Sequence, residues 1–585
     1  MAYIAPLEEM NFLLKDVFGI QSKIGNIKEF QDFDQDLYSA ILEESAKFCE
    51  GVLAPINREG DEQGCGFDKG VVTTPNGFKE AYREYAQGGW QGVSGDPEYG
   101  GQGLPKTINL LTEEMVYSAN TSFCLYSSLT SGAYQAIHAH ATDTLKSIYL
   151  PRMLEGRWAG AMGLTEPHAG SDLGIIKTKA QPSGSDTYRI SGTKIFITGG
   201  EHDLTENIIH LVLAKLPGAP EGAKGISLFL VPKIKVNADG SLGETNNVTC
   251  GSIEHKMGIK GSATCVMNFD DAEGFLIGQK NKGLNAMFTM MNLERLSIGV
   301  QGVALAETSY QLSKEYALDR KQGKGVDGQL TNIVQHTDVR RMLLAQRAYT
   351  EAGRALTVFM GIQIDQQYHH EDESVRHQCA GMMALLTPIA KAFLTDKGFD
   401  ATNFGVQILG GHGYIREWGL EQLVRDAKIA QIYEGTNGIQ AQDLLVRKVC
   451  LDKQGLIQQL FDCIEKSLSL ECQLGEFAEL KSQLVKVKNE IEDLTLWLKA
   501  NYSTRQHELL GGATDYLHAI GHLVYGWMWL EMLSAVENSD NHRHLARKKI
   551  AASFFTQHLL PLALEHSRRV RQGYECFADV DADLI

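Results

Sequence analysis

The chain has 585 residues, too many for one small core, and a formal charge of -17. That charge argues against a nucleic-acid-binding surface, because phosphate contacts need clustered Lys and Arg. A hydrophobic share of 43% with 22% charged residues is ordinary for a globular enzyme, and the length predicts about three or four domains.

The amino-terminal MAYIAPLEEMNFLLKDVFGI carries Glu8, Glu9, Lys15 and Asp16 in place of a basic n-region and an unbroken apolar run. No signal peptide is expected from it. No run approaches about 18 consecutive apolar residues, so no membrane span is expected either. Ten cysteines without a CxxC pair suggest neither a metal site nor a thioredoxin-like motif. Their scatter fits reduced thiols and a cytoplasmic location.

Residues 1–157 read as a helical domain. QDLYSAILEESAKFCEGVLAPIN spaces Leu37, Ile41, Ala46 and Phe48 at helical intervals, with Pro55 expected to end the run. GDPEYGGQGLPK (95–106) is a loop dense in Gly and Pro. A phosphate-loop reading of it finds neither a strand before nor a helix-opening glycine pattern after. SSLTSGAYQAIHAHA is small and apolar, as in a tightly packed buried helix.

Residues 158–280 change character. DTYRISGTKIFITGG alternates, NIIHLVLAKL and GISLFLVP are short branched apolar runs, and CVMNFDD closes a middle β domain. Residues 281–450 return to long amphipathic stretches suited to a helical bundle. Residues 451–585 form an additional helical domain, with its last helix expected to be interrupted at Pro561. The fold class is thus multidomain α+β: helical domain, β-barrel or sandwich domain, helical bundle, further helical domain.

Six segments carry chemistry in order: LTEPHAGSDLG (164–174), KIFITGG (194–200), NLERLSIG (292–299), YALDRKQGK (316–324), QILGGHGY (407–414) and QIYEGTNGIQ (431–440). Read alone, the first is a loop whose Pro167, Gly170 and Ser171 expose amides and a hydroxyl to an acceptor. Arg320 is a planar donor fork at a helix end, Gly410 and Gly411 leave backbone open, and His412 is a polar turn residue. Glu434 is a lone carboxylate between an aromatic ring and a glycine turn, with Thr436 or Asn437 placed to cap a following helix.

Together, over about residues 80–450, the six resemble the acyl-CoA dehydrogenase flavoprotein family, in its larger bacterial branch. The resemblance implies FAD held by Met162, Leu164, Thr165, Gly170, Ser171, Phe196, Ile197, Thr198, Arg320, Gln322, Gln407, Gly410, Gly411 and Thr436. It places Ser171, Asn292, Arg295, Tyr433 and Gly435 against the acyl-CoA. Relatives commonly have Trp where this chain has Phe196, and Asn where it has His412. Gln322-Gly323 followed by KGVDGQL departs from the usual cofactor loop.

An acyl thioester's α-proton is weakly acidic, so its removal needs a positioned base and a stabilised enolate oxygen. The β-hydrogen must leave as hydride, which a flavin accepts and a side chain does not. The family places its base either at the Glu of YEGT or at a Glu before the Arg of the ERL segment, and this chain has both, Glu434 and Glu294. With YEGT intact, Glu434 is assigned as base, and Glu294 is expected on the helix surface or paired with Arg295. The expected activity is FAD-dependent oxidation of an acyl-CoA to a trans-2-enoyl-CoA, with 3-methylmercaptopropionyl-CoA favoured and an electron-transferring flavoprotein as acceptor. Medium- or long-chain fatty acyl-CoA dehydrogenase, acyl-CoA oxidase and a non-catalytic flavoprotein of this fold are the alternatives. The additional carboxy-terminal helices imply, by analogy, a homodimer.

Overall fold

A computed structural model describes residues 3–537, 539–574 and 580–584. The amino-terminal helices surround two buried ones, α1 (Lys106–Ala119) and α2 (Thr121–His140). Asn120 separates them: its backbone turns extended, and its side-chain oxygen accepts the Phe123 N–H at 3.1 Å to start α2. Pro55 does not end a helix as expected. It sits in the first turn of the helix Ala54–Gln63, where its missing N–H costs nothing. The helix before it, Gln35–Phe48, buries Tyr38, Leu42, Ser45 and Ala46, whereas Leu37 is exposed. A small exposed hairpin, Gly66–Asp68 with Val71–Thr73, interrupts the helical domain, turned by Lys69 and Gly70 at positive φ.

The middle domain begins at Trp158. Its strands are β1 (Trp158–Gly163), β2 (Lys179–Pro182), β3 (Thr187–Thr198), β4 (Asn207–Lys215), β5 (Ile226–Pro232), β6 (Val248–Ile253) and β7 (Thr264–Ile277). Strand β7 pairs β3, β3 pairs β2, β2 touches β4, β4 pairs β5, and β5 returns to β7, so the sheet closes on itself as a barrel. Strand β1 lies parallel to β4, and β6 extends the sheet beside β7. The β3–β7 register slips between Lys194 and Ile197, and Phe196, at φ 58°, occupies that bulge.

The bundle is built from α3 (Gly283–Asp319), α4 (Thr337–His369), α5 (Glu373–Ile389), α6 (Thr395–Leu409) and α7 (Leu420–Ala430). Helices α5 and α6 are one rod with a wide π turn, Ala390–Leu394, just after Pro388 removes a helical donor. Glycines let α3 press on that turn. A Cβ on Gly302 would lie 2.6 Å from the Leu394 carbonyl oxygen, and one on Gly398 2.4 Å from the Gly302 oxygen. The insertion after Arg320 folds as a hairpin, Lys321–Lys324 with Leu330–Asn332.

The carboxy-terminal helices are α8 (Leu456–Leu468), α9 (Gly475–Asn501), α10 (Ala513–Val536), α11 (His542–Phe554) and α12 (Leu562–Gln572). The helix is interrupted by a turn at Leu560 and Pro561, as expected, and α12 starts directly after Pro561. Helix α10 is apolar nearly all round and therefore buried. Trp529 on α10 donates to the Ala348 oxygen of α4 at 3.3 Å, and Lys548 on α11 donates to Glu351 of α4 at 2.8 Å and to Glu9. One apolar core runs from the amino-terminal helices through the bundle into α10. Among the described residues no helix is long and apolar enough to cross a membrane.

Candidate active site

Glu434 lies in the turn between α7 and the short helix Asn437–Gln442. It has φ 55° and Gly435 φ 86°, and for Glu434 that left-handed conformation is uncommon. The turn is held by its backbone and by its two feet. The Asn437 N–H donates to the Gln431 oxygen at 3.1 Å. One Asp396 oxygen accepts both the Gln431 and the Asn437 side-chain amides, each at 2.7 Å. The other Asp396 oxygen accepts His518 Nε2 of α10 at 2.9 Å. Thr436 caps the following helix by accepting the Ile439 N–H at 3.4 Å.

Arg295 of α3 reaches under the same turn. Its Nε donates to the Glu434 carbonyl oxygen at 3.3 Å, and Gln440 Nε2 donates to the same oxygen at 3.2 Å. The Glu434 N–H and its carboxylate make no hydrogen bond or ion pair among the described residues. Burial pushes the Glu434 carboxyl above its ordinary value, with the Arg295 and Lys391 cations pulling against it. Lys391, in the π turn, is wholly buried, and its Nζ donates to the Asn437 side-chain oxygen at 2.8 Å. Burial drops its pKa to about 7 against the pull of Glu434 and Asp396. Tyr433 is half-buried and donates its hydroxyl to Gln301 of α3.

Glu294 is neither on the helix surface nor paired with Arg295. It is buried, facing α2, where a Cβ on Gly132 would lie 2.4 Å from its Oε1. Burial and the neighbouring Glu434 and Glu113 carboxylates push its own carboxyl well up. The helical spacing was correct, but α3 is buried along most of its length, so no face of it there is free. Ser297, one turn along from Glu294, donates to Glu113 of α1. Glu113 lines a narrow chamber between α1 and α2 with Asn109, Ser127 and Ser131, walled as well by Phe48, Tyr85, Trp90 and Val116. Asn292 and Arg295 line a separate open pocket with Phe288, Met383, Thr387 and Lys448.

The barrel contributes a second surface. Phe196 is 59% exposed, because the bulge in β3 turns its ring outward. Ile197 is buried beside it, and Thr198 closes the strand. Met162 ends buried in β1, and Leu164 and Thr165 follow half-exposed. The Thr165 N–H and the Thr165 and Thr198 hydroxyls find no partner among the described residues. Gly170 and Ser171 stand exposed, with open space where a Cβ on Gly170 would lie. Glu166, absent from the sequence reading, fixes this loop. Its carboxylate accepts Lys194 Nζ at 2.9 Å, the Lys177 and Thr178 N–H groups and the Thr178 hydroxyl.

Arg320, Gln322, Gln407, Gly410 and Gly411 form a third group at the far end of the bundle. The Arg320 side chain and both glycines are exposed, with room for a Cβ at each glycine. His412 bonds Tyr316 at 2.9 Å and stacks on Trp418, a structural turn residue. The α-helical rise puts Arg320 about 39 Å from Glu294 along α3. A single chain therefore brings Glu434, Tyr433, Gly435 and Arg295 together, and Phe196, Thr165 and Thr198 together, but keeps the Arg320 group away from Glu294.

Comparison with known proteins follows this layout. Residues 36–157, 161–272 and 281–448 match the amino-terminal, middle and carboxy-terminal domains of acyl-CoA dehydrogenase, and residues 456–581 match an acetyl-CoA dehydrogenase C-terminal-like domain. The chain is 40% identical over 582 residues to the 3-methylmercaptopropionyl-CoA dehydrogenase of Ruegeria pomeroyi, covering 98% of this chain and 99% of that one. The chain belongs to the acyl-CoA dehydrogenase family. It is also 31% identical over 592 residues to the broad-specificity linear acyl-CoA dehydrogenase FadE5 of Mycobacterium tuberculosis, covering 96% of each. An acyl-CoA dehydrogenase from Bacillus anthracis, solved with FAD, shares the fold at a TM-score of 0.75 and 22% identity, covering 98% of this chain and 93% of that one.

Sequence reasoning missed Lys391, Asp396 and His518. The signal was present: AKAFLTD sets a Lys and an Asp in an otherwise apolar helix, and YLHAIGHLVYGWMWL sets two His in one.

Proposed function

We propose that this acyl-CoA dehydrogenase uses FAD to oxidise a short acyl-CoA to the trans-2-enoyl-CoA, with 3-methylmercaptopropionyl-CoA as the favoured substrate. The observation that carries the reading is Glu434: a raised carboxyl with no partner of its own, held by its backbone so that the side chain is free. That is the state a base needs to take a weakly acidic α-proton near neutral pH. Its N–H, equally unpartnered, is a donor for the developing enolate oxygen. Gly435 leaves room where a Cβ would crowd Gln440 at 2.7 Å.

The exposed Phe196 ring and the unpartnered Thr165 and Thr198 donors fit a flat aromatic cofactor with hydrogen-bonding edges. Bound there, FAD supplies the hydride acceptor. Met162, Leu164, Gly170, Ser171, Ile197 and Thr436 belong to the same surface in this reading. Arg320, Gln322, Gln407, Gly410 and Gly411 stand too far along α3 to serve the same cofactor from the same chain, which favours a homodimer. Asn292 and Arg295 border the CoA pocket, with Arg295 also occupied in holding the turn. An electron-transferring flavoprotein as acceptor and a cytoplasmic location, the latter on cysteine spacing alone, complete the proposal.

The choice of substrate rests on the similarity to the 3-methylmercaptopropionyl-CoA dehydrogenase of Ruegeria pomeroyi. Anaerobic titration with 3-methylmercaptopropionyl-CoA, butyryl-CoA and palmitoyl-CoA, following flavin bleaching, tests this. Bleaching is expected with the first two, strongest with the first. Failure with every acyl-CoA removes the enzyme reading, and a preference for palmitoyl-CoA removes the short-substrate reading.

A further inference from the structure

The carboxy-terminal helices raise a question that the dehydrogenase reading leaves open, namely what they do for the reaction. The Glu434 turn is linked to them through Asp396 of α6. Gln431 and Asn437 stand three residues to either side of Glu434, and both donate to one Asp396 oxygen at 2.7 Å. That shared acceptor closes the turn like a clasp, beside the backbone bond from Asn437 to Gln431. Among the described residues the second Asp396 oxygen has one partner, His518 Nε2 at 2.9 Å, and His518 Nδ1 is buried with none. Nε2 is therefore the protonated, donating nitrogen, and its bond fixes the rotation of the Asp396 carboxylate.

His518 is in turn held on several sides. Phe393 of the π turn meets its ring edge-on at 5.5 Å between centroids. His566 of α12 lies at 5.1 Å and is itself bonded to Asp515 at 2.7 Å. Gly521, one turn along α10, has the Phe393 ring where a Cβ would sit, so α10 approaches the π turn closely. Burial would raise the Asp396 carboxyl, yet the His518, Asn437 and Gln431 hydrogen bonds outweigh it and hold it below its usual value. A half-buried carboxylate that loses one of three donors reorients or takes up a proton more readily, and either change loosens the clasp.

We propose that the carboxy-terminal helical domain completes the active site, with His518 acting through Asp396 as a positioning residue for the Glu434 turn. The proposal rests on Glu434 being the base. It gives α10 a catalytic task across 122 residues of sequence, beyond burying apolar surface.

The test uses full-length enzyme with FAD and compares His518→Leu with His518→Gln, whose amide can still donate to Asp396. His518→Leu should raise amide hydrogen exchange at residues 431–437 by about tenfold, with the rest of α10 unchanged. It should slow flavin reduction at saturating butyryl-CoA by about tenfold or more, because small misplacement of a base is costly, while leaving acyl-CoA affinity intact. His518→Gln should restore both. Wild-type exchange and wild-type reduction in the Leu variant overturn the proposal, as do equal losses in the Gln variant. If His518→Leu does not fold, Asp396→Asn must show the same local rise in exchange, and its absence there also overturns it. Should wild type itself fail to be reduced by any acyl-CoA, the dehydrogenase reading falls, while the exchange measurement still decides the clasp.

Discussion

Arg295 grips Glu434 by its backbone: Nε lies 3.3 Å from the Glu434 carbonyl oxygen, and the two side chains form no ion pair among the described residues. The cation therefore orients the turn without neutralising the carboxylate directly. Replacing Arg295 with Lys keeps the charge but loses the planar fork that meets the carbonyl and Asn292. Arg295→Lys is expected to lower the rate of flavin reduction by about 10–100-fold, a misplacement effect. Stopped-flow reduction at saturating acyl-CoA measures it.

Two carboxylates, Glu294 buried and Glu434 half-buried, compete for the role of base. Glu434→Gln is expected to lower substrate-driven flavin bleaching by about 10²–10⁴-fold, the usual contribution of a positioned general base. Glu294→Gln should bleach readily, because its side chain faces Gly132 and α2. The opposite pattern in the same anaerobic assay would move the base to Glu294.

With Glu434 as the proposed base, the pH dependence of kcat/KM is expected to report its carboxyl. Burial raises it, while Arg295 and Lys391 oppose that rise. Lys391→Met removes one opposing cation, so the acid limb of the profile should move to higher pH. Since Lys391 is itself depressed to about 7 by burial, its ammonium is progressively lost above that pH in wild type. The two profiles should therefore differ most on the acid side and converge above neutrality. An acid limb that does not move would show that Lys391 does not sense Glu434.

Gly435 has φ 86°, and a Cβ there would meet Gln440 at 2.7 Å. Gly435→Ala adds both strain and a clash beside the proposed base, at a cost of about 1–3 kcal/mol. Thermal unfolding should report a lower Tm, and turnover should fall further than stability does, since the crowding sits at the reacting end.

Lys194 and Glu166, 2.9 Å apart with side chains 0% and 3% exposed, form a buried pair under the 164–174 loop. Lys194→Met strands a buried carboxylate and should cost about 3–5 kcal/mol of stability. Burial would raise Glu166, but the Lys194 charge and the surrounding hydrogen bonds outweigh it and hold it down to about 2. A carboxyl lowered in the folded state stabilises above its ordinary value of 4.5 and loses that contribution as pH falls toward 2. Wild type should lose more stability than Lys194→Met across that window, measured by denaturant unfolding at each pH.

Much of the architecture was legible in the residues. Alternation and branched runs located the barrel strands of 158–280, and the Gly-rich punctuation of QIYEGTNGIQ marked a turn holding a carboxylate. These signals are local, because side-chain periodicity and turn chemistry act within a few residues. Pro55 misled for the same reason: proline breaks a helix interior but opens a first turn, and only its position in the fold distinguishes the two.

The chain by itself determined the order of helical, β and helical domains, the family, and the pair of candidate bases. Tertiary structure alone decided that Glu294 is buried against α2, that Arg295 holds a carbonyl, and that His518 reaches Asp396 across 122 residues. Such contacts arise where helices far apart in sequence pack, and their partners are set by close approaches such as Gly302 on the Leu394 oxygen, which no window of neighbouring residues encodes.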